Sequence, residues 1–171
     1  MVRTLIFFLF LSSCAYRMSS NTPPLSPKRT ISINIDDSFS FDERKSIVRA
    51  IRTWNRSLNN NMILLTSNSK ADRRIVRASS DDPIVDVAKK ESLAITASKK
   101  YIYVISDRIG DVDLSMIMLH EIGHMLGAGH ANRGLMSPTF RTVDYKCIDY
   151  DTAKQIALAN DLDVNTMNYC F

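Results

Sequence analysis

All three histidines of the chain fall within eleven residues, in the run His120-Glu121-Ile122-Gly123-His124-Met125-Leu126-Gly127-Ala128-Gly129-His130. His120 and His124 are four apart, so on a helix they share one face and can grip one ion. Zinc takes imidazole nitrogens at about 2.0–2.1 Å in a tetrahedral array, and two ligands one helical turn apart fit that demand. A straight helix would carry His130 away from the metal. Gly127 can end the helix in the left-handed conformation and turn the chain so that His130 returns as third ligand. Three protein ligands leave a fourth position for water, the mark of a catalytic zinc. Glu121 stands beside that water and off the metal, which makes it the general base. The competing account of each histidine alone is a packed core side chain; three at this spacing favour the metal.

Such a helix needs a sheet to lie on, and the rest of the chain supplies one. Ile31-Ser32-Ile33-Asn34-Ile35 alternates apolar and polar, the period of a half-buried strand. Ser40 with Glu43 three residues on forms a capping box, and Ile47, Ile51, Trp54 and Leu58 then fall on one helical face. Strands are expected at 62–65, 73–78, 92–97 and 101–105, with a surface loop over 79–90. The histidine helix should run from near Asp113 to about Leu126, and a last helix over 149–159. One strand, one helix, several strands and two final helices predict an α+β domain.

The chain has 171 residues, 45% of them hydrophobic, which suits one globular domain. A formal charge of +4, spread along the sequence, reads as a solvated surface and not as a nucleic-acid footprint. Arg3 followed by the apolar residues 5–11 (LIFFLFL) reads as an export signal, too short to span a bilayer. Residues 1–14 are taken as that signal, 15–30 as a Ser/Pro-rich flexible spacer, and 31–171 as the folded domain. Leu11-Ser12-Ser13-Cys14 resembles a bacterial lipobox, in which Cys14 would be lipidated and tether the protein to a membrane. Cleavage after Ala15 is the alternative, and an envelope lipoprotein is favoured over a freely secreted protein. Of the other cysteines, Cys147 and Cys170 are a candidate disulfide in an oxidising compartment, with two buried thiols as the alternative.

The histidine pattern resembles that of the metzincin metallopeptidases. Six residues after His130, Leu135-Met136-Ser137-Pro138 resembles their Met-turn, which would make Met136 the hydrophobic floor of the metal site. Size, the Trp-bearing first helix and a helix after the Met-turn are most similar to the matrixins. That resemblance implies that Leu93, Ala94, Ile95 and Thr96 form the edge strand that pairs with extended substrate. It also implies that residues 138–146 wall the pocket beyond the scissile bond, with Phe140, Arg141 and Tyr145 shaping it. Matrixins often bind calcium, for which Asp81, Asp82 and Asp86 are candidate ligands, although solvated acids are the plainer account. Several positions depart from the family. Ala131 follows the third histidine where Ser is usual. Ile95 stands where a structural-zinc His is common, and Pro138 where astacins and serralysins carry a ligand Tyr. No cysteine-switch segment precedes Ile31. The implied activity is a monomeric zinc endopeptidase acting on protein or peptide substrates; the alternatives are a zinc-binding module without activity and a tethered interaction protein.

Overall fold

The computed structural model describes residues 30–59, 62–86, 91–138 and 147–170. The export signal with Cys14, the spacer apart from Thr30, and Phe140, Arg141 and Tyr145 lie outside the described residues.

The elements run β1 (Ile31–Ile35), α1 (Phe41–Ser57), β2 (Ile63–Leu65), β3 (Arg73–Ala78), β4 (Ala94–Ala97), β5 (Tyr101–Ile105), α2 (Ser106–Ile109), α3 (Leu114–Leu126) and α4 (Tyr150–Asn160). One five-stranded sheet has the order β2-β1-β3-β5-β4. β1 is parallel to β2 and β3, β3 is parallel to β5, and only β4 runs antiparallel, as the partner of β5. No described strand lies beyond β4, so its outer backbone edge is that of an edge strand. This is the α+β domain that the element pattern predicts.

Alternation decides which face is covered. Ile31, Ile33 and Ile35 of β1 are buried, and Ile75, Ile102 and Val104 join them in one core with Ile47, Ile51 and Trp54 of α1. α1 is amphipathic and capped as its sequence predicts: Ser40 and Glu43 exchange both bonds of the capping box. α3 is another kind of helix, with apolar residues on nearly every side and eleven of its residues buried. A helix apolar all round must lie inside a fold. Here α3 is wedged between the sheet, α1 and α4, so the residues it presents to solvent are few and specific.

Three details differ from expectation. The loop at 79–90 contains a 3-10 turn at Pro83–Val85, where Pro83 fixes the first position and Val85 is buried under the sheet against Ile95. The strand expected from Ser92 begins at Ala94, although Leu93 O still accepts from Ile105 N at 2.9 Å. A short turn, α2, follows β5 without any signal in the hydrophobic period, because four residues are too few to show one.

Candidate metal centre

α3 sets the first two imidazoles. Asp113 caps its start by accepting from Ser115 N at 2.8 Å, and His120 and His124 then sit one turn apart. The helix stops at Gly127, whose φ of 107° is left-handed. Ala128 N donates to Gly123 O at 2.9 Å and Gly127 N to His124 O at 3.0 Å, the two bonds of a Schellman motif. Any side chain at Gly127 would also meet Ala159 of α4, because a Cβ there would lie 2.8 Å from the Ala159 Cβ. The reversal brings His130 back to the other two.

His124 Nε2 lies 3.1 Å from His120 Nε2 and 3.2 Å from His130 Nε2. Ligands at about 2.0–2.1 Å in tetrahedral array sit roughly 3.3 Å from one another, so the spacing fits zinc. The tautomers fit as well. His120 Nδ1 donates to Leu135 O at 2.7 Å and His124 Nδ1 to Ala128 O at 2.9 Å. A carbonyl can only accept, so each Nδ1 carries the ring proton and each Nε2 presents a lone pair. Burial, with the neighbouring His124 and His130, pushes the His120 pKa down to about 3, which keeps that ring neutral. In the neutral rings the two Nε2 lone pairs converge at 3.1 Å, the disposition of two ligands to one cation. Among the described residues the three histidines are the one group of His, Cys, Asp or Glu side chains whose ligand atoms converge.

Asp81, Asp82 and Asp86 do not form such a group: Asp82 instead accepts from Ser79 N, within the turn that carries them. Ile95 packs with Ala78, Val85 and Ile105 on the sheet face opposite α3. Cys147 and Cys170 are joined as a disulfide.

Glu121 is 2% exposed and sits between β4 and the histidines. Burial raises its carboxyl above the ordinary range, opposed by nearby His124 and by the Thr96 hydroxyl. Met136 is fully buried beneath α3. Gly123 makes the approach possible, since a Cβ there would lie 2.6 Å from Met136 Sδ.

Other supports were not visible in the histidine pattern. Asp149, the N-cap of α4, accepts from Leu135 N at 2.9 Å and from Thr152 N and Oγ1. Because Leu135 O orients His120, this carboxylate steadies the His120 ring at second hand. Gln155 Oε1 accepts from Gly129 N at 2.9 Å, and Asn160 Nδ2 donates to Leu126 O at 2.8 Å. Asp149 could be read as a helix cap from sequence. Its reach to the Met-turn could not, because that partner is fourteen residues away.

A buried helix with two imidazoles, a glycine reversal returning a third, a carboxyl between them and an edge strand, and a methionine below define a metzincin-type metallopeptidase domain. A sequence model of the matrixin family matches residues 13–159, and the chain belongs to that family. No curated protein matches it.

Proposed function

We propose that the protein is a zinc-dependent endopeptidase in which His120, His124 and His130 hold the metal and Glu121 is the general base. The observation that carries this reading is the convergence of three imidazole nitrogens, two of them fixed as lone-pair donors by carbonyls, beside a buried carboxyl. Bound zinc supplies a Lewis acid that polarises a carbonyl and makes a water more acidic. Glu121 takes the proton of the water that attacks the peptide carbonyl and returns it to the leaving amine. The free edge of β4, with Leu93, Ala94, Ile95 and Thr96, would hold an extended substrate as an added antiparallel strand. Residues 138–146, with Phe140, Arg141 and Tyr145, would wall the pocket on the leaving side. The Cys147–Cys170 bridge and the apolar leader at 5–11 support export.

The test is zinc content and cleavage of casein or gelatin by wild type beside Glu121→Gln. One zinc per chain in both proteins is expected, with hydrolysis lost by at least about 100-fold in the variant. An active Glu121→Gln enzyme would sink the mechanism. Zinc without cleavage in either protein would point to a binding module.

A further inference from the structure

Thr96 is the third residue of β4, and strand alternation sends its side chain onto α3 while Ile95 packs on the other face. Its Oγ1 stands 2.6 Å from Glu121 Oε2 and 3.0 Å from Glu121 O. A hydroxyl has one proton, and the shorter contact to the carboxylate is the stronger acceptor. We propose that Thr96 is a positioning residue for Glu121: its hydroxyl holds Oε2, fixes the carboxyl plane and leaves Oε1 to exchange protons with water and leaving amine.

This inference rests on the general-base reading above and adds to it a side chain that the substrate-strand role does not use, since that role needs only the backbone of β4. Glu121 is 2% exposed, so a donor lost at Oε2 is not readily replaced by bulk solvent. Oε2 can accept from Thr96 whether Glu121 is ionised or carries a proton on Oε1. The bond therefore survives the full cycle, in which the proton leaves water for Oε1 and passes from Oε1 to the amine. The two partners come from different elements, a strand and a helix, so the contact also sets the height of the substrate edge above the carboxyl. A displacement of the base by even 1 Å would cost rate more than binding.

The test uses zinc-loaded protein and fluorescent casein. Thr96→Val, which keeps the shape and removes the donor, should lower kcat about 10- to 100-fold with KM within about threefold. Thr96→Ser should restore kcat to within about threefold, and zinc content should be one per chain throughout. A second readout does not need turnover. Acetohydroxamate yields its hydroxyl proton to a neighbouring carboxylate, so Thr96→Val should weaken its binding when Glu121 is present. In the Glu121→Gln background the same substitution should add nothing.

If wild type cleaves, Glu121→Gln does not and Thr96→Val keeps the wild-type kcat, the inference falls alone. It falls too if KM rises while kcat holds, or if the hydroxamate effect is the same in both backgrounds. If wild type and Glu121→Gln cleave alike, the general-base reading falls and takes this inference with it. Should Thr96→Val fail to load zinc, Thr96→Ala puts the same question with a smaller side chain.

Discussion

His120 and His130 aim nitrogens at one point from opposite kinds of structure. His120 is 3% exposed on a helix packed on all sides, whereas His130 is exposed on a loop. The helix half of the site is held by apolar burial, with Trp54 beneath it donating from Nε1 to Leu119 O at 3.0 Å. Of residues 127–138 the loop half buries only Ala128, Leu135 and Met136. It depends on directed bonds: Ala128 N to Gly123 O, Ala131 N to Met136 O, Gly129 N to Gln155 and Leu135 N to Asp149. Packing is non-directional and tolerates small shifts, but it fails with the whole core. Hydrogen bonds are directional and fail one at a time. A lesion in the helix half should therefore lower stability most and zinc binding with it, and one in the loop half should loosen zinc at a smaller cost in stability.

The largest effect should come from the helix half. Trp54→Ala removes a fully buried indole and its hydrogen bond. It should cost about 3–5 kcal/mol, a fall in Tm of roughly 10 °C, measured by thermal denaturation of the zinc-loaded protein. A loss of zinc affinity with Tm unchanged would break the comparison. Next is the disulfide, which closes a segment with a sequence separation of 23 beside the start of α4. Replacing both Cys147 and Cys170 with Ser should lower unfolding stability by about 3 kcal/mol in the chain-entropy account. Equal urea midpoints for the two proteins would show that the bridge contributes nothing.

The two halves also differ in how far they could be read from sequence. The strands at 73–78 and 101–105 are legible as short β-prone runs, and the span of α3 from its Asp113 cap and Gly127 stop. The position of His124 relative to His120 is fixed by the same helical geometry. Gly127 was legible as the stop, since only a residue at ease with positive φ ends a helix this way. The tethers were not. Thr96 to Glu121, Asp149 to Leu135 and Gln155 to Gly129 join residues 25, 14 and 26 apart, and nothing periodic marks such a pair. The bonds that orient His120 and His124 go to backbone carbonyls, which every residue has, so no side chain identifies them.

Asp149 offers the sharpest test of the loop half. Asp149→Ala removes the cap of α4 and the acceptor for Leu135 N, and should cost about 1–2 kcal/mol. Because Leu135 O orients His120, zinc affinity should fall by about tenfold, read by competition with a chromogenic chelator. A chelator curve that does not move would mean that the Met-turn holds its place without α4.

The smallest effect should lie outside both halves and leave the metal alone. Glu43 closes the capping box of α1 and pairs with Arg77 of β3, while the Arg77 guanidinium lies 5.3 Å from the Phe39 ring centroid. Partial burial pushes the Glu43 carboxyl up, but the Ser40 bonds and Arg77 outweigh it and leave the pKa lowered. A carboxyl that is more acidic in the folded state stabilises it at any pH above the unfolded value of about 4.3. That contribution fades as pH falls through the lower folded value. The pair is partly exposed and solvent screens it, so Glu43→Gln should cost about 0.5–1 kcal/mol at pH 7. Urea midpoints of variant and wild type should converge as the pH drops below about 4. Zinc affinity at pH 7 should be the same in both, since α1 meets the site through Trp54, nearly four turns from its capped end. A gap that persists in acid would mean that shape, and not charge, is what Glu43 contributes. A shift in zinc affinity would mean that the helix half is less well insulated from the surface than its packing implies.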